Sequence, residues 1–422
     1  MTMPAAPGRA LPSLLFRRAR PRSRGLRFEE RAASEVPPEQ LTQIDVCWSA
    51  ALGLGLIDPV SGAEFQSRHL LLALEAGEPY RVARALAFEA SYMAAGGGET
   101  APRVAELIDA AGAIARRIGH PHALSLVELV TGLSAVLEGR WRAGSGALDR
   151  AEEIFRERCT GVAWERGSAQ SFAVWSLWYL GDLRELARRI PLYLRGAEAR
   201  GDRYLVTNLR SSHANAIWLV KGDPATAERE AREAIRGWSR AGFHLQNYFD
   251  LVARANIGLY RGEGEATHGR IVERWPDLVQ SMTLHIQSAR VWATYLRASS
   301  ALLAARTSGD GAGLVQEAER AAGKLAAERM PWVNPLAALL RAGVRLSRGE
   351  ASEAAALLAG AVRDFEAVDM PLYAAAARRR VGEIAGGEEG RAAVEAADAW
   401  MKEQGVVDPA RIAAMLAPGS AE

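Results

Sequence analysis

The sequence predicts an all-α fold: a superhelical stack of antiparallel helical hairpins, an α-solenoid. Three observations predict it. A glycine recurs after an apolar helical stretch, at Gly139, Gly181, Gly222, Gly262, Gly309 and Gly349, with intervals of 42, 41, 40, 47 and 40 residues. At most of these positions an acidic residue follows, as in Gly181-Asp182 and Gly349-Glu350, and then a second helical stretch begins. Strand-like alternation of apolar and polar residues is missing throughout. Glycine supplies the left-handed conformation that ends one helix, and Asp or Pro suits the start of the next. A single hairpin cannot bury its apolar face alone, so successive hairpins must stack.

Residues 1–38 read as a disordered Arg/Pro-rich arm or linker, with six arginines between Arg17 and Arg27. Such a composition buries too little apolar surface to offset its ordering entropy. Residues 39–121 read as an irregular helical start. Asp58-Pro59 marks a turn, and Ala76-Gly77-Glu78-Pro79 a stop and restart, because Pro79 fits the first turn of a helix. Gly96-Gly97-Gly98 ends that helix, and Thr100 can cap one that runs to Gly119. Residues 122–418 read as the regular repeats. Helix pairs are expected at 122–138 and 142–158, 166–180 and 182–200, 203–221 and 223–240, then 244–261 and 263–275. Three more follow at 280–306 and 311–329, 332–348 and 350–368, 370–385 and 387–404, and Asp408-Pro409 can open a short last helix. The units resemble tetratricopeptide-type hairpins, with longer helices than the form of roughly 34 residues.

The apolar share is 49%, the charged share 24% and the net charge +2. No global field therefore steers the chain to nucleic acid or a membrane. No stretch approaches the roughly 18 uncharged apolar residues that would span a bilayer. The cysteines, Cys47 and Cys159, form no metal-spaced pair, so a reducing, cytoplasmic setting is the default.

Catalytic signatures are missing. Lysine occurs only at Lys221, Lys324 and Lys402, and none sits in a phosphate-binding P-loop. The glycine-rich loop, His-Arg-Asp and Asp-Phe-Gly set of a protein kinase is absent, since Asp364-Phe365 runs on to Glu366. There is no HExxH pair and no Gly-x-Ser-x-Gly elbow. His120 and His122 flank Pro121 without an acidic third ligand and fit a helix boundary. The sequence thus predicts no enzyme, no cofactor and no metal. Trp141, Trp164, Trp175, Trp178 and Trp218 are expected to fill gaps between stacked hairpins. A buried Glu165 would need a donor, for which an arginine is the expected partner.

What remains is binding. Asn208, Ser212 and Asn215 lie on one helix face, Asn247, Asp250 and Arg254 on the next, and Gln287 and Arg290 continue the idea. If the first helices of the hairpins line a concave groove, these residues are candidate contacts to a protein or peptide partner, since Asn and Gln offer both donor and acceptor to a peptide backbone. Three rivals stand beside this. A buried polar cluster with strongly perturbed pKa values in a cleft would favour an enzyme acting through its own residues. A continuous arginine stripe would favour nucleic acid, and a closed apolar pocket between hairpins would favour a small-molecule sensor.

Several strings resemble the C-terminal region of large multidomain bacterial serine/threonine protein kinases. They include Arg24-Gly25-Leu26-Arg27-Phe28, Ile44-Asp45-Val46-Cys47-Trp48, Gly62-Ala63-Glu64-Phe65-Gln66, Cys159-Thr160-Gly161 and Met370-Pro371-Leu372-Tyr373. The resemblance implies a tetratricopeptide-like array that serves as a scaffold or sensor in kinase-linked signalling. A kinase/ATPase module encoded nearby is then a possible partner. The chain departs from that family in lacking the kinase and ATPase domains, so no catalytic residue carries over.

Overall fold

The computed structural model describes residues 25–55, 57–239 and 242–419. Among the described residues every regular element is helical. The helices are α1 (Pro38–Leu54), α2 (Pro59–Ala76), α3 (Pro79–Ala94), α4 (Ala101–Ile118), α5 (Pro121–Leu137), α6 (Trp141–Arg158) and α7 (Ala163–Tyr179). Next come α8 (Leu183–Ala199), α9 (Arg203–Arg210), α10 (Ala216–Val220), α11 (Pro224–Arg236), α12 (Leu245–Arg261) and α13 (Gly264–Gln280). The chain ends with α14 (Gln287–Ala304), α15 (Gly311–Ala327), α16 (Asn334–Ser347), α17 (Ala351–Ala367), α18 (Pro371–Ala385), α19 (Gly387–Glu403) and α20 (Pro409–Leu416). Neighbours in sequence pack as neighbours in space, which is the stack of hairpins that the glycine period predicts. None of these helices is long and apolar enough to cross a membrane.

The recurring glycine–acid pair has a local explanation. At the end of α7, Gly181 is left-handed, its N–H donates to the Trp178 carbonyl, and the Asp182 N–H reaches back to Leu177. This closes the helix by satisfying carbonyls that have no partner within it. The Asp182 carboxylate then accepts from the Glu185 N–H and caps α8. The same sequence of bonds runs through Gly222 and Asp223, which caps α11 through the Thr226 N–H at 2.9 Å. Such a cap is worth about 1 kcal/mol.

The two largest differences from the sequence expectation lie at helix boundaries. The helix expected at 203–221 is broken into α9 and α10 by a 3-10 turn, Ser212–Asn215, with Ser212 at a positive φ of 56°. The helix expected at 280–306 starts only at Gln287, after Met282 enters the left-handed region. Of the arm expected at 1–38, residues 1–24 lie outside the described residues. Its remainder lies against the α2–α3 junction, where the Arg31 N–H donates to the Gly77 carbonyl and Val36 is buried.

The array turns back on itself, so residues far apart in sequence meet. Trp332, just before α16, packs edge-on against Trp141 of α6 at 5.6 Å. Trp292 of α14 stacks on Tyr179 of α7 at 5.5 Å. Polar contacts close the same seam. Gln287 N–H donates to the Ala95 carbonyl, and Val407 N–H to that of Val220, both at 2.9 Å. Tyr295 donates to the Leu416 carbonyl at 2.6 Å. Gly139 shows how tight the closure is, because a Cβ added there would fall 2.3 Å from Cδ1 of Trp332.

Candidate functional site

Where the first helices of the hairpins meet they line a pocket of about 230 Å³. Its walls come from α3, α5, α7, α12 and α14 and from the broken segment between α9 and α10. The aromatic lining includes Phe88, Trp141, Trp175, Tyr179, Tyr248, Phe249, Trp292 and Trp332. Among the described lining residues there is no Asp, Glu, Lys or Arg. Trp292 is the hub of this lining. It lies within 6 Å of Tyr179, His213, Tyr295, Trp332 and Tyr373, ring centre to ring centre. Offset and edge-on aromatic pairs of this kind each add roughly 0.5–1.5 kcal/mol beyond their buried area.

His213 is the one lining residue whose side chain titrates near neutrality in water. Burial among aromatics pushes it down from the usual 6.5 to about 3, because nothing nearby pairs with an imidazolium. Its ring nitrogens instead face hydroxyls, Tyr179 Oη at Nε2 and Ser212 Oγ at Nδ1, both at 3.4 Å. The helix break places it there. A continuous helix through Ser211 and Ser212 would not turn the chain at this point. The break is repaired by Asn215, whose Nδ2 donates to the carbonyls of Arg210 and Ala227 at 2.9 and 2.8 Å. Ser211 Oγ adds a bond to the Thr207 carbonyl at 2.6 Å.

The eight polar residues singled out in the sequence fall into two groups. Asn208, Ser212, Asn215 and Gln287 are buried. Asn208 donates to Ser171 Oγ, Ser212 lines the cavity, and Gln287 joins Glu328 to the Gly98 N–H across the seam. Asn247, Asp250, Arg254 and Arg290 are half-buried. Asn247 accepts from the His244 N–H at the start of α12, Asp250 pairs with Arg254, and Arg290 pairs with Glu328. Only Ser212 of the eight reaches the cavity lining.

The tryptophans expected to fill gaps divide likewise: Trp141 and Trp178 are buried, while Trp164, Trp175 and Trp218 are half-buried and pack on the core. Glu165 is buried, but the group it faces is His122 Nε2 at 3.4 Å rather than an arginine. His122 in turn meets Tyr80 Oη at 3.2 Å, and His120 stands at the position before α5 without a capping bond from its side chain. No group of three or more His, Cys, Asp or Glu residues able to hold a metal exists among the described residues.

Sequence reasoning missed Trp292, Trp332, Tyr248 and His213 as members of one site. A usable signal existed. From Trp175 to Tyr373 the large aromatics concentrate on or just before the first helix of each hairpin, while the second helices carry few.

No family model matches the chain, and neither does any curated protein. Among solved structures it is similar to the tetratricopeptide-repeat domain of P58(IPK), with a TM-score of 0.21 and 12% sequence identity, over 85% of this chain and 98% of that one. Fold and site together define the class: an all-helical repeat protein whose inner face holds an aromatic-lined pocket without Asp, Glu, Lys or Arg among its described lining residues.

Proposed function

We propose that this chain is a binding protein without chemistry of its own, and that it holds a small apolar molecule in the cavity between its hairpins. One observation carries the reading. The inner face of the array holds a pocket with an aromatic lining and no Asp, Glu, Lys or Arg among its described lining residues, where a peptide-binding solenoid would present a polar groove. Concave, mostly apolar sites with a few placed polar groups are how proteins bury small ligands.

Burying the ligand removes it from water and contributes affinity in proportion to its apolar area. Because the walls come from both arms of the closed array, occupancy stabilises the closure, which is how a repeat domain reports a ligand. The kinase-linked setting of such a sensor rests on the sequence resemblance alone. A second reading, docking of a protein or peptide, is favoured by the half-buried Asn247, Asp250, Arg254 and Arg290, which keep some contact with solvent.

The test is thermal. A neutral two-ring probe such as N-phenyl-1-naphthylamine should raise the melting temperature of the full chain in a saturable way, as any ligand that binds only the folded state does. Filling the chamber with Ala289→Phe or Ser91→Phe should abolish that gain. A probe effect that persists in both folded variants would place binding elsewhere and remove this reading.

A further inference from the structure

A second pocket opens where the end of the chain closes on the array. It measures about 580 Å³, within the size range of small-ligand sites. Its walls come from elements far apart in sequence: the ends of α12 and α14, then α18, α20 and the Pro418-Gly419 segment. Five arginines line it, Arg261, Arg306, Arg379, Arg380 and Arg411, against one carboxylate, Glu383. The chain as a whole nearly balances 52 basic residues with 50 acidic ones, so this wall is a local concentration of positive charge. It shares no lining residue with the aromatic pocket.

The five arginines are not alike. Arg379 and Arg380 share Glu383, and Arg379 also donates to Asp398 at 2.8 Å. Arg380 is buried and donates from Nε to the Ala417 carbonyl at 3.1 Å. Arg261 donates to Glu228 and to the Pro224 carbonyl beside α11. These three are engaged in holding the fold. Arg306 and Arg411 are exposed. Among the described residues no carboxylate pairs with Arg306. Arg411 reaches only Asp408, from Nε at 3.4 Å, beyond the roughly 2.7–2.9 Å of a strong charged pair. Its guanidinium carbon lies 5.7 Å from the centre of the Tyr260 ring, a cation–π contact that orients the fork. Two solvent-facing guanidiniums on one pocket thus keep donors without a protein acceptor among the described residues.

Guanidinium forks match oxyanions edge to edge. A carboxylate has two oxygens and fills one fork. A phosphate monoester has three terminal oxygens and carries close to two negative charges near pH 7, enough for both. Between the arginines the wall is apolar, with Leu259, Leu303 and Pro418, which suits an organic body on the phosphate. We propose that this pocket binds a small organic phosphate monoester, with the phosphate held by Arg306 and Arg411 and the organic group on the apolar wall. Arg306 follows α14 and Arg411 belongs to α20, so the bound phosphate ties the last helix to the body of the array.

Calorimetric titration of the full chain at fixed ionic strength tests this with phenyl phosphate, inorganic phosphate, benzoate and a phosphoserine heptapeptide. Phenyl phosphate should bind saturably and most tightly, with benzoate about tenfold weaker or more, the range one charge-assisted hydrogen bond supplies. Arg306→Ala and Arg411→Ala should each weaken phenyl phosphate by about tenfold or more. Arg195→Ala removes the same charge from an exposed site on α8 and should change it by no more than about twofold. No saturable binding of phenyl phosphate, or affinity unchanged in both pocket variants, would overturn the site. Benzoate binding as tightly as phenyl phosphate would overturn the assignment of a phosphate. Inorganic phosphate binding equally well would overturn the organic body, and a tighter phosphopeptide would overturn the small-molecule source. If an alanine variant does not fold, Arg306→Lys and Arg411→Lys keep the charge but lose the fork, and the same loss of phenyl phosphate affinity is expected in smaller measure. None of these outcomes bears on the aromatic pocket.

Discussion

The two helices of each hairpin share length and composition class but not surroundings. On α12 the buried positions run almost without interruption from Tyr248 to Tyr260, whereas on its partner α13 only Gly264, Thr267, Ile271 and Leu278 are buried. The same contrast holds between α7 and α8, and between α18 and α19. A helix with one buried stripe packs on one layer, and a helix buried all round needs partners on every side. In an open solenoid the first helices would face solvent on their inner side. Here that side is covered by the returning end of the same chain, and the residue of space that the covering leaves is the cavity.

The largest difference between the layers should appear when an inner aromatic is removed. Trp292→Ala should destabilise the protein by about 3–5 kcal/mol in urea unfolding, the range for large core truncations. Leu192→Ala on the outer α8, where the side chain is 46% exposed, should stay within about 0.5 kcal/mol. Equal losses would erase the distinction between the layers.

A smaller effect separates a turn on the seam from one in the open. Gly139 and Gly201 are both left-handed, but only Gly139 faces the returning chain, while a Cβ on Gly201 meets open space. Valine at either position is strained. Gly139→Val should cost about 1–3 kcal/mol more than Gly201→Val, the usual toll of overpacking. Matching melting temperatures for the two variants would mean that the seam gives way easily.

The smallest effect concerns pH. The folded-state pKa of His213 is depressed to about 3 from 6.5, so between these values the unfolded chain binds the extra proton. Stability then rises with pH across that window, is complete above 6.5, and is lost as pH falls towards 3. His69, buried and likewise held well below its usual value, contributes in the same direction. His213→Asn should flatten part of the decline in melting temperature between pH 6.5 and 4. An unchanged slope would show that His213 is solvated.

The hairpins were legible because their punctuation is local: a left-handed glycine, then an aspartate or proline that starts the next helix. The break after Arg210 was not, since Ser212 adopts a positive φ without the glycine that would signal it. The late start of α14 was hidden in the same way by Met282. Closure was illegible for a different reason. The sequence marks Trp141 as a gap filler, but not that it packs against Trp332 across 190 intervening positions. The polar stripe was readable as a set of residues on shared helix faces. Its environment was not, because Asn215 and Gln287 look the same in sequence whether they serve a groove, a broken helix or a seam.

The central claim is that the closed inner layer holds an apolar molecule. The most direct measurement is a crystal of the full chain soaked with 2-acetyl-6-bromonaphthalene, with the bromine located by its anomalous signal. The account predicts a bromine peak inside the pocket bounded by Phe249, Trp292 and Trp332. A bromine peak on the outer helices, or an empty chamber at saturating ligand, would contradict it.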